Sequence, residues 1–315
     1  MADELANPVL LLSAYNDGLQ GYIDSARERG LFAESQTQSV YREPNITNSG
    51  EGQRAMLWAY AKRLDPLSYT EIQTTGDCTS HCSRNAIDTT RATQIFVERR
   101  PESFVVRSAT EPTYGARGHG GQGMSPARAA MFVSETGFVL RKKYEAVDLA
   151  KYDGKIGARW GASGVPEEVK KLCRENKVGV IRQITKVGDA VDALFNGYAI
   201  ASGQYAAWEA APNKDNIHPR APGGWSHSMA TVGMDFTRKF WPCDVFFVQN
   251  SWGSWNQPPK DWPADYPTWV PGMIVTKAED WDVCVRGGDC YAYGQVDGFP
   301  PQKLPDLGAI GLLQK

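Results

Sequence analysis

"FFVQNSWGSW", residues 246–255, sets an asparagine directly after an apolar run. Phe246, Phe247 and Val248 have the aromatic and β-branched character of a strand, and Gly253 marks a turn beyond it. The side-chain oxygen of Asn250 is suited to accept an imidazole N–H, fixing the tautomer and direction of a histidine ring. The neighbouring indole of Trp252 can shield such a bond from water. The plainer alternative is a strand end and turn with an aromatic core anchor. Deciding between them requires a histidine and a nucleophile elsewhere in the chain.

Only four histidines are present: His81, His119, His218 and His227. His227 lies in "GGWSHSMATVGMD", at the entrance to an apolar run and between small residues. A ring at the head of a strand can point across a cleft, although a lone buried histidine is also an ordinary core residue. The nucleophile is sought in "QTTGDCTSHC", residues 73–82. From Thr79 to Glu98 there is no Pro or Gly, and Cys82, Ala86, Ile87 and Thr90 recur at helical spacing. Cys78 therefore opens a helix, where the dipole favours a thiolate. The alternative for Cys78 is a small buried hydrophobe. A metal site built from Cys78, His81 and Cys82 is a third reading. Structural zinc usually takes four ligands in spaced pairs, which this stretch does not supply, so no metal or other cofactor is expected.

Composition bounds the remaining classes. The chain has 315 residues, 42% hydrophobic and 22% charged, with a formal net charge of -2. Nothing in that balance points to nucleic acid or to an anionic membrane as the partner. No apolar run approaches a membrane span. The six cysteines are too sparse for a disulfide scaffold. The start, "MADELANPVLLL", lacks the basic residues and long apolar run of a secretory signal, so a cytoplasmic location is expected. Helical text in the first half gives way to short β-type runs in the second: "VGVIRQI", "YAIASGQY", "SMATVGMDF", "DVFFVQNSW" and "WVPGMIVTK". This predicts an α+β protein of two packed lobes with a site in the cleft between them. A short helix is expected within residues 23–32, another over "QRAMLWAYAKRL", residues 53–64, and a third after Pro126.

Taken together these residues resemble the papain-like cysteine peptidases. "QNSWGSWN" is similar to that superfamily's Asn-Ser-Trp-Gly block, and "SHSMATVGMD" to the block around its histidine. "HGGQGMSPARAAMFVSETG" resembles its Gly-Gly wall and following helix, and "GDCYAYGQVDGFP" its terminal segment. The chain order Cys, His, Asn is met by Cys78, His227 and Asn250, and the Cys-to-His separation falls in the range of about 130–150 residues known for such enzymes. The resemblance implies a helical left lobe and a β-barrel-like right lobe. It implies Cys78 as nucleophile, His227 as base, Asn250 as its orienting partner and Gln73 as an oxyanion donor. It also implies that Gly120, Gly121 and Trp252 line the peptide groove. Two departures stand out. Thr79 follows Cys78 where an aromatic is usual, and Gln73 is one residue closer to the cysteine than in the family. Counting from Cys82 fits worse, so Cys78 is preferred.

The resemblance spans roughly residues 55–300. Residues 1–54 form an N-terminal arm, too polar and irregular to order itself. Residues 301–315 form a tail with the apolar Leu307, Ile310, Leu312 and Leu313. Both are expected to contact other protein chains of a larger assembly, plausibly a virus particle, because the text around the motifs resembles phage-encoded members. The arm could instead lie in the groove as a cap. The expected substrate is a peptide or protein. The competing class is a structural or interaction protein on the same scaffold.

Overall fold

The computed structural model describes residues 21–38, 50, 52–98, 107–204 and 206–296. In chain order the first elements are α1 (Ala26–Gln38), β1 (Arg54–Met56), α2 (Trp58–Leu64) and α3 (Cys78–Glu98). Next come α4 (Glu111–Gly115), α5 (Pro126–Glu135), α6 (Gly154–Ser163) and α7 (Glu167–Cys173). The second half holds β2 (Val178–Gln183), α8 (Val187–Phe195), β3 (Ile200–Gln204), β4 (Ala207–Trp208), β5 (Arg220–Ala221) and β6 (His227–Asp235). It closes with β7 (Val245–Gln249), β8 (Met273–Lys277), α9 (Asp282–Arg286) and β9 (Cys290–Val296).

The organising element is α3, which is buried on nearly every side although its sequence is rich in hydroxyl and charged residues. It packs against β3, β6 and β9 on one side and α2 and α5 on the other. A polar helix survives such burial only if its side chains are bonded. Thr79 Oγ1 donates to the Met124 carbonyl at 2.9 Å, and Asp88 accepts from the backbone and hydroxyl of Ser108. Thr90 Oγ1 accepts from Ala199 N at 2.9 Å, tying the helix to the sheet side. The helix after Pro126 forms as expected, with Ser125 as N-cap accepting from Arg128 N.

The main sheet runs β2-β9-β3-β6-β7-β8, antiparallel at every pairing, with β1 added to β6. It does not close, so the expected barrel-like lobe is an open antiparallel sheet. The mixed α+β architecture of two lobes otherwise stands. The expected helix over residues 53–64 is divided. Arg54–Met56 is a strand and only Trp58–Leu64 is helical. Ala55 pairs with Met234, and this distant ladder overrides a local helical pattern.

The expected helix near the end of the arm is α1, and it does not turn outward. Phe32 is buried edge-on against Tyr291, and α1 packs on α5. Of the arm, residues 1–20, 39–49 and 51, and the whole tail, residues 301–315, lie outside the described residues.

Candidate active site

Two structural units meet at the cleft. One is the head of α3. Thr75, Gly76 and Asp77 lead into Cys78, which is fully buried. The turn is held by Gln122, whose Oε1 accepts from Gly76 N and Thr75 Oγ1, each at 2.7 Å. Asp77 Oδ2 accepts from Tyr152 OH at 2.8 Å and lies 3.5 Å from His81 Nε2. His81 in turn faces Arg84 through Nδ1 and meets Tyr152 edge-on. Cys82 packs one turn further along, with its thiol toward the Ser202 carbonyl.

The other unit is the end of the sheet. His227 begins β6 and Asn250 follows β7, and the two strands are hydrogen-bonded neighbours. His227 Nε2–H donates to Asn250 Oδ1 at 2.8 Å, and the same oxygen accepts from Ser251 N at 2.7 Å. Trp252 stacks on the imidazole with ring centroids 4.2 Å apart, and Trp225 packs on Trp252 in turn. Trp252 is buried, as the sequence predicts. This arrangement commits Nε2 to the asparagine and leaves His227 Nδ1 with no hydrogen bond.

Gln73 joins the two units. Its backbone N–H donates to the Ser251 carbonyl at 3.0 Å, and its Oε1 accepts from Ser251 Oγ at 2.6 Å. Its Nε2 donates to Thr75 O, in the turn before Cys78. Ser228, next to His227, shares a 2.9 Å hydroxyl contact with Thr79, next to Cys78. The polar groups bearing on the Cys78 thiol include the backbone and hydroxyl of Ser228.

The cleft is occupied by the chain itself. Gly21 N and Tyr22 N both donate to Ser226 O at 3.2 Å, on the sheet side. Met124 N donates to Gly21 O at 2.7 Å and Ile23 N to Met124 O at 3.1 Å, on the helical side. Tyr22 thus pairs with Met124 as a parallel bridge. Gly21 is pressed so closely on Gly76 that a Cβ there would stand 1.8 Å from the Gly76 carbonyl oxygen. Gly123, with φ +85°, lies under the same segment, and a Cβ on it would meet Ile23 and the Gly21 carbonyl. Gly120 and Gly121, expected at the groove wall, sit in the exposed part of this loop. Gly123 and Met124 form the edge that the segment follows.

Burial sets the charge states. It pushes the Cys78 thiol up to about 12, against hydrogen bonding from Ser228 and Gly21 and together with the nearby Asp77 carboxylate. It holds the His227 imidazole down to about 4, against the Asn250 bond that favours its protonation. With the segment in place, thiol and imidazole are both neutral at pH 7. Sequence reasoning raised the arm as a cap without naming residues 21–23, quoted the block that holds Gln122 and Met124 without singling them out, and missed Tyr152, which belongs to no motif with its own spacing.

Among the described residues no cluster of three metal-ligating side chains is present, and no helix is long and apolar enough to cross a membrane. Comparison of the sequence with protein-family models gives no match, and neither does comparison with curated proteins. The fold does match solved structures. Xylellain, a cysteine protease from Xylella fastidiosa, superposes with a TM-score of 0.55 at 14% identity, over 88% of this chain and 96% of its own. The ragweed pollen cysteine protease Amb a 11, in its proform, gives 0.50 at 14% identity, over 88% of this chain and 75% of its own. The chain has the papain-like cysteine protease fold.

Proposed function

We propose that this protein is a papain-like cysteine peptidase that hydrolyses peptide bonds through Cys78, His227 and Asn250, and that residues 21–23 hold it latent. The observation that carries the reading is the His227–Asn250 bond of 2.8 Å beneath the Trp252 ring, beside a cysteine at a helix head. The bond fixes the tautomer in which Nδ1 is left to exchange a proton with the Cys78 sulfur. Once the covering segment leaves, water and the α3 dipole lower the cost of a thiolate, and the imidazolium completes the pair.

The thiolate attacks the scissile carbonyl, forming a C–S bond while the carbonyl electrons move to oxygen. The Cys78 N–H and an amide hydrogen of Gln73 stabilise that oxyanion. His227 returns its proton to the departing amine as the C–N bond breaks. Water, deprotonated by the same imidazole, then releases the acyl group and restores the thiol.

The test is labelling by a peptidyl vinyl sulfone, with the modified residue located by mass spectrometry. Full-length protein labels slowly at Cys78. A Tyr22→Ala, Arg29→Ala double variant, which loosens the covering segment and the α1 residue that shares its Asp289 partner, labels faster at the same residue, and Cys78→Ala abolishes labelling. Labelling at Cys82, or none in either form, refutes the reading. Contacts with other chains of an assembly are proposed for the tail and for residues 1–20 and 39–49 of the arm, since the described part of the arm lies against its own domain. Incorporation into a particle by the full chain but not by a chain lacking residues 301–315 tests that role.

A further inference from the structure

The loop from Gln73 to Asp77, which leads into Cys78, is gripped from outside. Within it, Asp77 N and Gln73 Nε2 both donate to Thr75 O, at 2.8 and 2.9 Å. Two side chains of the helical lobe then take hold of the rest. Gln122 Oε1 accepts from Gly76 N and Thr75 Oγ1, each at 2.7 Å, and from Tyr114 OH at 3.0 Å. Tyr152 OH accepts from Thr74 N at 3.0 Å and donates to Asp77 Oδ2 at 2.8 Å, so one phenol closes both ends of the loop. Gly154 lies against this contact: a Cβ there would stand 2.7 Å from Tyr152 OH and 2.8 Å from Thr74 Oγ1. Tyr114 is in α4 and Tyr152 leads into α6, and these helices pack on each other, so the two grips share one support.

Gln122 is exposed, and a solvated glutamine gains little from any one protein hydrogen bond. Its carbonyl oxygen nevertheless takes these three donors, more than its two lone pairs hold in ideal geometry. It also stands two residues before Met124, whose N–H and C=O carry the pairing along the edge of the cleft. The edge that takes a backbone strand and the loop that leads from Gln73 to the Cys78 N–H are therefore joined through one side chain. Oxyanion donors act only if they are held in place before the charge forms, and a displacement of about 1 Å costs on the order of 10²-fold in rate.

We propose that Gln122 and Tyr152 are positioning residues for the oxyanion donors. Gln122 couples the Met124 edge to the loop, and Tyr152 closes the loop against Cys78. Both act through the loop rather than on the substrate. The proposal rests on the peptidase reading above.

The test uses the full-length chain carrying Tyr22→Ala and Arg29→Ala, to which Gln122→Ala or Tyr152→Phe is added. Amide hydrogen exchange rises about tenfold or more at Gly76 in Gln122→Ala and at Thr74 in Tyr152→Phe. On a fluorogenic peptide amide, either substitution lowers kcat about tenfold to a hundredfold and leaves KM within about twofold. Alkylation of Cys78 by iodoacetamide, in which sulfur displaces iodide and no oxyanion forms, stays within about twofold. Gly154→Ala keeps every bonded side chain, crowds Tyr152 and Thr74, and gives the same loss confined to kcat. With Gln73→Ala also present, the effect of Gln122→Ala on kcat shrinks, because one donor it positions is already gone. Unchanged exchange, a loss shared equally by kcat, KM and alkylation, or full additivity with Gln73→Ala overturns the proposal. Raised exchange in a chain that neither cleaves nor labels refutes the peptidase reading and leaves the loop clamp assigned. Cleavage with unchanged exchange does the reverse.

Discussion

The two walls of the cleft are built by opposite means. Behind the head of α3 lies a buried charged network. Arg141 donates to Glu111 at 2.9 Å and to Glu71 at 3.0 Å, Arg84 also pairs with Glu71, and Glu111 accepts from Asp153 N. Burial works against the Glu71 carboxylate, yet the two guanidiniums hold its pKa below the usual range. The wall carrying His227 and Asn250 has aromatic packing instead: Trp225 on Trp252, Trp252 on His227, and below them Phe246 against Trp281. A charged wall is intolerant of single deletions, because removing one partner strands another. An aromatic wall loses area gradually. The cysteine thus sits on the brittle side of the cleft and the histidine on the forgiving side.

Glu71→Gln is the hardest test of that contrast. It leaves Arg84 and Arg141 without their shared carboxylate and is expected to cost about 3–5 kcal/mol of stability. A chemical-denaturation midpoint close to wild type would show that the network is not what holds the Cys78 wall.

Gln73→Ala probes the joint between the walls. Gln73 bonds Ser251 on one side and Thr75 on the other, so its loss is expected to lower kcat/KM by roughly 10²–10³ through the oxyanion. The folding midpoint should change far less. Full turnover on a fluorogenic peptide would reduce Gln73 to a connector.

His218 gives the forgiving wall a pH signature. It is buried at the sheet, accepts from Val275 N at 3.2 Å through Nδ1, and burial lowers its pKa to about 4. Between about pH 6.5 and 4 the unfolded chain binds a proton at this residue that the folded chain does not. Its contribution to stability is therefore present above pH 6.5 and is lost as pH falls toward 4. His227 has the same sign, while Asp289, with its raised pKa, opposes both. A His218→Gln variant should show a shallower fall of Tm across this window than wild type. An unchanged slope would mean that the imidazole is hydrated and titrates normally.

Trp252→Phe carries the smallest expected effect. The smaller ring still packs between Trp225 and His227, so the stability loss should be about 1 kcal/mol. The shield over the His227–Asn250 bond is thinned, and kcat/KM should fall severalfold, about tenfold at most. Equal activity with a much larger stability loss would make Trp252 a core anchor alone.

Some of this was legible in the residues themselves. The unbroken run from Thr79 to Glu98 placed Cys78 at a helix head, and the apolar runs before Asn250 and after His227 are β7 and β6. Those signals are local: helix periodicity, strand composition and turn residues depend on neighbours a few positions away. The order Cys, His, Asn could be read without knowing how the pieces pack. The tertiary structure alone decided the rest. Arg54–Met56 became a strand because β6 offered an edge to it, and the sheet stayed open because its strands pair along a path that does not return. Gly123 and Met124, rather than Gly120 and Gly121, form the edge beside residues 21–23 because the covering segment pairs there. Tyr22, Gly203 and Asp289 meet although no spacing links them. A contact between residues so far apart along the chain leaves no period in the sequence, and only the packing of α3 against the sheet brings its members together.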